Sequence, residues 1–359
     1  SQEEGRSQEE GRSQEEGREA AVRLEDLRGQ PSARETLERA LTSRRVHHAY
    51  RFEGPAGVGK ELAAFALAQA LLCTEAGAFG CGACSACRRA TTFSDKPPYT
   101  PLHPDLIVVE QGLYPESIIG RDEKSGVSVE QIRRIVLAHV AFAPAEGRAR
   151  VFLFRRADEL TPQAANALLK TLEEPRPATH FILMTSRPEK LLPTIRSRSM
   201  LVRFGALPDA VMRELLAERH IDEPLLSEVI LLAEGSVERA LLLAEPDRAE
   251  ARAAFLRAVT TAALEGTAGA AAKPAESADP GRRGMRDRLF DLAAHLSAVA
   301  KTAPPDAAFA LARGYEQVMT ATENLEMANA APAHVLTGLA LSLHRVGAGA
   351  ALHSHRSRT

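Results

Sequence analysis

Apolar residues follow two rhythms through the first two thirds of the chain. In ARETLERAL (Ala33 to Leu41) and KELAAFALAQALL (Lys60 to Leu72) they return at helical spacing, and both segments consist of good helix formers. Short apolar runs of strand character stand around them: HHAYRFEGP ahead of the second helix, DLIVVE (Asp105 to Glu110), RVFLF (Arg150 to Phe154) and HFILMTS (His180 to Ser186). A helical segment, PQAANALLKTLEE, separates the last two. Strands alternating with helices predict a parallel sheet covered on both faces, so residues 24–206 read as a mononucleotide-binding α/β domain that ends near Phe204.

Past Leu207 the strand patterns stop. DAVMRELLAERH, EPLLSEVILLAEG and VERALLLAE predict three short helices, grouped as a small helical domain over 207–246. An all-α C-terminal domain is expected over 247–348, built from RDRLFDLAAHLSAVA, DAAFALARGYEQVMTATENLEMA and PAHVLTGLALSLHRV. It is interrupted near 265–284 by an Ala-, Gly- and Pro-rich stretch that reads as a mobile linker, and residues 349–359 are expected to fray. The chain opens with three copies of SQEEGR, which contain no apolar side chain to bury, so residues 1–23 are expected to be disordered.

The strand and helix on either side of GPAGVGKE place it where a phosphate-binding loop belongs, and the pattern holds up to its last letter. That position ordinarily carries a hydroxyl that holds magnesium, whereas here it is Glu61. Gly54, Gly57, Gly59 and Lys60 are the candidate phosphate contacts, because backbone N–H groups at a helix N-terminus attract anions whatever the side chains. The strand VFLF should end in a metal-holding carboxylate, and Arg155 and Arg156 stand there instead. Asp158 and Glu159 follow, but in the turn before Thr161 and Pro162, out of reach of a phosphate. With both metal-holding positions changed, hydrolysis by this chain is expected to be absent. Binding of ATP or ADP is left open.

All four cysteines fall in Cys73-x7-Cys81-x2-Cys84-x2-Cys87, with glycines at 77, 80 and 82 that let the chain fold back. Four thiolates at this spacing predict one closed, tetrahedral, structural zinc site, with Arg88 and Arg89 placed to offset its surplus negative charge. A formal net charge of -2 makes no global case for nucleic acid, and 4% aromatic residues with no Trp leave little for base stacking. No apolar run has the length of a membrane span and no apolar export signal is present, so a reducing, cytoplasmic setting is expected.

Several strings carry a more specific message. AANALLKTLEEP (Ala164 to Pro175), TIRSRS (Thr194 to Ser199), HAY before the loop and the cysteine module after its helix together resemble the bacterial clamp-loader AAA+ subunits of DNA polymerase III, over roughly Leu24 to Ala240. The resemblance implies a P-loop AAA+ domain, a helical lid and a helical collar. It implies a pentameric arc in which ATP-binding motor subunits sit between two that do not hydrolyse, placing a sliding clamp on primer-template DNA. The partners would be the gamma/tau and delta subunits, with clamp and DNA reached through the assembled complex, and no membrane.

By the same resemblance Arg198, in Ser197-Arg198-Ser199, matches an arginine that reaches a neighbour's ATP, with Ser199 in place of the usual Cys. Thr185, followed by Ser186, matches a polar sensor of the γ-phosphate. In GSVERAL, Glu238 takes the place of a second sensor arginine, and Arg239 is one step round the helix. Elements acting in cis are altered while the one acting in trans survives, which implies a non-hydrolysing, stator-like member. Two other readings stand beside it: an ATP-hydrolysing motor subunit with magnesium held by Asp158 and Glu159, and a zinc-containing nucleic-acid-binding protein with a vestigial loop.

Overall fold

Five strands pair in parallel to make one sheet, in a computed structural model that describes residues 22–267, 282–327 and 331–356 apart from 76, 121, 122, 124, 125, 147 and 224. The SQEEGR repeats and residues 268–281 of the expected linker lie outside the described residues. In chain order the first unit runs α1 (Pro31–Thr42), β1 (Ala49–Glu53), α2 (Lys60–Leu72), α3 (Ser85–Thr91), β2 (Leu106–Val109), β3 (Arg150–Phe154), α4 (Pro162–Glu173), β4 (Thr179–Thr185), α5 (Pro193–Arg196) and β5 (Met200–Arg203). A helix that loosens to a π turn over Ile132–Leu137 lies between β2 and β3.

The strand order is β2-β3-β4-β1-β5, with Ala49 opposite Phe181, Leu106 opposite Val151 and Tyr50 opposite Met200. β3 and β4 are buried almost throughout, which is why they read as continuous apolar runs instead of alternating ones. Phe152 and Phe181 stack at 5.2 Å in the middle of this core. α2 is buried on nearly every side from Ala63 to Gln69, so its alanines are a packing requirement more than the mark of an amphipathic face. α4 begins with Thr161, whose hydroxyl accepts from the Ala164 N–H, and with Pro162 in the first turn.

β5 carries no strand pattern in the sequence. It is short, lies at the sheet edge and buries only Val202 fully, so its pairing with β1 is what makes it a strand.

The first unit ends at Leu207, and a second compact, all-helical unit begins at Pro208. It contains α6 (Asp209–Ala217), α7 (Leu225–Ala233), α8 (Val237–Ala244), α9 (Pro246–Glu265), α10 (Arg282–Thr302), α11 (Pro305–Met327), α12 (Pro332–Arg345) and α13 (Ala348–Arg356). Its core joins Phe255 and Val259 of α9 to Leu292 of α10, Val318 of α11 and Leu339 of α12. The tail expected to fray from 349 is helical to Arg356. Ala348, Ala351 and Leu352 pack into that core, and tertiary burial supplies what so short a helix lacks alone. No single described helix is long and apolar enough to cross a membrane.

Phe152→Ala should cost about 3–5 kcal/mol of stability, measured by urea unfolding. Phe142→Ala, at a side chain 72% exposed, should stay within about 0.5 kcal/mol.

Candidate functional site

At the carboxyl edge of the sheet, β1 turns into the loop that leads to α2. Gly54 has a φ of 155°, and a Cβ there would lie 2.2 Å from the Phe204 carbonyl oxygen, so the loop can leave β1 only through a glycine. Gly57 and Gly59 also have positive φ, and Gly59 forms the N-cap of α2. The Lys60 ammonium folds back onto the loop and donates to the carbonyls of Gly54, at 2.7 Å, and of Pro55. Gln30, ahead of α1, donates to the carbonyls of Val58 and Gly205, tying the loop to the exit of β5.

The two altered metal-holding positions are bonded to each other. Arg155 leaves the end of β3, and its guanidinium donates to Glu61 at 2.9 Å and to Glu110, just past β2, at 3.0 Å. It also lies over the Phe93 ring, 5.8 Å from the centroid. A fixed cation therefore fills the ground between the first turn of α2 and the ends of β2 and β3, where a phosphate loop's magnesium is ordinarily held. With two carboxylates around one guanidinium, the cluster keeps one net negative charge, which would repel a triphosphate.

Asp158 and Glu159 lie in a turn of 3-10 helix after β3. Asp158 accepts from the Thr185 hydroxyl at 2.7 Å and from Arg187 Nε at 2.7 Å, so both of its oxygens are engaged. The Thr185 hydroxyl in turn accepts from the Arg187 N–H. Thr185 thus sits at the end of β4 beside Gly54, with its hydroxyl spent on holding a turn.

Arg198 belongs to the opposite edge. Met200 pairs with Tyr50, so Arg198 is level with His48, ahead of β1. From that level to Gly54 is a run of six residues, roughly 20 Å of extended chain. Arg198 is therefore out of reach of its own chain's loop. Arg51, a buried cation inside β1, donates to the Arg196 carbonyl at 2.7 Å and to Ser199 Oγ at 3.2 Å, and Ser199 Oγ donates to the Ile195 carbonyl. Arg198 itself donates to the Thr194 carbonyl at 2.9 Å and pairs with Glu173, the last residue of α4, at 2.5 Å. Arg198 and Glu173, with His47, His48, Ser199 and Met200, line an open hollow of about 710 Å³. Burial, reinforced by the neighbouring His47, holds the His48 imidazole below its ordinary value of 6.5, and burial does the same to His180 on β4.

The cysteine module follows α2. Sulfurs of Cys73 and Cys84 lie 3.9 Å apart, as do those of Cys81 and Cys87, and all four fall within 4.8 Å of one another. A tetrahedron of thiolates at about 2.3 Å from a central ion has edges of about 3.8 Å, so the four sulfurs could hold one metal ion. N–H groups of Cys81, Cys84 and Cys87 point at the sulfurs of Cys73, Cys81 and Cys84, and Cys84 is itself the N-cap of α3. Burial opposes ionisation of Cys84, but hydrogen bonds from Cys87 and Thr74 outweigh it and bring that thiol down to about 6. Arg88 and Arg89, expected to face the cluster, turn their guanidiniums to the Ala83 carbonyl and to Glu146. Support for the sulfurs comes from backbone N–H groups, which the tight turns aim inward. In α8, Arg239 pairs with Glu234 at 3.4 Å and approaches Asp291.

Sequence reasoning missed Arg51, Gln30, Glu110 and Glu173. A charged residue inside the apolar strand AYRFE was the available signal for Arg51, while the others become partners only once distant segments meet.

A family model described as DNA polymerase III, delta subunit, matches residues 29–208. The delta' subunit of Bacillus subtilis is 31% identical over 64% of this chain and 63% of its own length. For the delta' subunit of Pseudomonas aeruginosa the figures are 37%, 56% and 57%. The tau subunit of Escherichia coli is 37% identical over 61% of this chain but only 32% of tau. The matched segment thus spans less than two thirds of each of these relatives. Among solved structures, a gamma-subunit-related protein of Thermotoga maritima aligns over 87% of this chain and 98% of that one at 15% identity, with a TM-score of 0.44.

Arg155→Ala leaves Glu61 and Glu110 without their common cation and should destabilise the protein by about 1 kcal/mol, with a coupling to Glu61→Ala below about 1 kcal/mol in a double-mutant cycle. His48 and His180 have depressed values in the folded chain, so the unfolded chain takes up protons first. Stability is fully present above pH 6.5 and falls as the pH drops below it, which thermal unfolding between pH 7.5 and 5.5 should record.

Proposed function

The chain belongs to the DNA polymerase III delta-subunit family, and on that footing we propose that it is a delta'-type clamp-loader subunit that hydrolyses no ATP itself and presents Arg198 to the ATP of a neighbouring subunit. The Arg155 bridge between Glu61 and Glu110 carries this reading. A motor subunit needs a dication at that place, coordinated by a hydroxyl and a carboxylate. Here a guanidinium stands between two carboxylates, and the loop lysine is drawn onto its own carbonyls. Asp158 is no substitute ligand, since Thr185 and Arg187 take up its oxygens.

Arg198 supports the other half of the reading by its position. A planar cation supplied from outside stabilises charge on a phosphoryl group in transfer. The separation of Arg198 from the home loop leaves only another subunit's nucleotide for it to serve. Arg51 and Ser199 fix the segment that carries it, so the guanidinium moves on a rigid base. The helical unit from Pro208 would supply lid and collar, and the partners would be gamma/tau and delta, with sliding clamp and primer-template DNA reached through the assembly in the cytoplasm.

The metal in the cysteine module would be zinc, held by Cys73, Cys81, Cys84 and Cys87. Its contribution is structural, because four protein ligands close the shell to water or substrate. It would clamp a loop-rich segment that has little apolar surface of its own.

The isolated chain should show no ATP turnover. In a loader reconstituted with its other subunits, clamp and primed DNA, Arg198→Ala should slow the ATP site facing this chain on the order of 10³-fold, read in single-turnover phosphate release. Undiminished turnover with Arg198→Ala, or brisk hydrolysis by the isolated chain, overturns the reading. Metal analysis after dialysis should give one zinc per chain, and Cys84→Ser should lose it and lower the Tm.

A further inference from the structure

The guanidinium of Arg198 is folded back on its own subunit. One nitrogen, Nη2, contacts Glu173 at 2.5 Å, and Nη1 contacts the Thr194 carbonyl and Ser197 Oγ. The third nitrogen, Nε, is buried and has no hydrogen-bond partner among the described residues. This arrangement leaves a charged donor incompletely satisfied beside an open hollow. It is a resting position that a better acceptor can improve upon.

Glu173 is placed where its own helix does not want it. It ends α4, and the carbonyl end of a helix disfavours a carboxylate. Glu174 follows directly, adding a second negative charge. Lys170, three residues earlier in the last turn, offsets part of that cost, but the ion pair Glu173 makes is with Arg198. From these observations we propose that Glu173 is a positioning residue that holds Arg198 folded back in the free subunit and yields it to the phosphate of a neighbouring subunit's nucleotide. This rests on the trans role of Arg198 and adds the group that governs its availability.

The magnitudes fit an exchange of partners. The side chains of Arg198 and Glu173 are 32% and 47% exposed, so water screens their attraction and the pair should favour the folded-back state by no more than about fivefold. A nucleotide phosphate carries more charge and accepts two parallel N–H bonds, and it would also satisfy Nε. Arrival of phosphate then separates the pair, and Glu173 is left facing solvent at little cost. No bond is made or broken in Glu173 itself, so its effect falls on how often the guanidinium is available and not on the chemistry.

The test uses the reconstituted loader with ATP but without clamp or DNA, where the latch predicts that availability of the guanidinium limits turnover. Glu173→Gln should raise kcat about two- to fivefold at unchanged KM for ATP, since ATP binds in the neighbour's loop. Glu173→Asp should return the wild-type value, and Arg198→Ala/Glu173→Gln should behave as Arg198→Ala alone. An unchanged or lower kcat in Glu173→Gln, with Arg198→Ala still impaired, overturns the latch and leaves the trans role standing. If Arg198→Ala has no effect, both fall. A Tm for Glu173→Gln within about 1 °C of wild type separates loss of the latch from loss of fold.

Discussion

The placement of β1 between β4 and β5, all three parallel, is the constraint on which the rest of the molecule depends. Parallel strands share a direction, so everything at their carboxyl ends collects on one edge and everything before them on the other. The glycine loop, Glu61, Arg155 and Thr185 lie on the first edge, and Arg198 with His48 lies on the second. One sheet thereby keeps the glycine loop and Arg198 far apart. A subunit built this way can complete a site in its neighbour without touching its own, and the same geometry holds whether its own loop works or not.

The carboxyl edge departs from the phosphate-loop pattern in its charges and follows it in its backbone. The loop retains its glycines, its lysine and the helix behind it, and Gly54 is still required by the close approach of Phe204. The departures are side chains at the first turn of α2 and at the end of β3, and the two are complementary in charge. Glu61 without Arg155 would crowd Glu110, and Arg155 without Glu61 would lose one of its two acids. Together they form an internal ion pair in place of a metal. The loop persists because it still joins strand to helix at the centre of the core.

The cysteine module shows the same economy on a smaller scale. α3 begins at a candidate ligand, since Cys84 caps the helix with the sulfur it would offer to a metal. Backbone N–H groups directed at three sulfurs lower the cost of gathering negative charge there. Arg89 reaches away to Glu146, and its carbonyl accepts from the His103 N–H, so α3 is fastened to the segment before β2 independently of the cluster.

Local pattern alone determined α1, α2, α4 and the buried strands of the first unit, because a fully buried parallel strand is apolar on both faces and these longer helices carry their own spacing; α3 and α5 are too short to leave such a trace. It also determined the candidate ligands, since glycine loops and clustered cysteines are contiguous in the chain. β5 and the last helix, α13, were decided by tertiary structure: each is too short to hold a conformation without its neighbours, and each is made regular by what it packs against. The same holds for the charged partners. Arg155 finds Glu61 across 94 residues and Arg51 finds Ser199 across 148, and such pairs leave no periodic trace because they depend on which strand lies beside which.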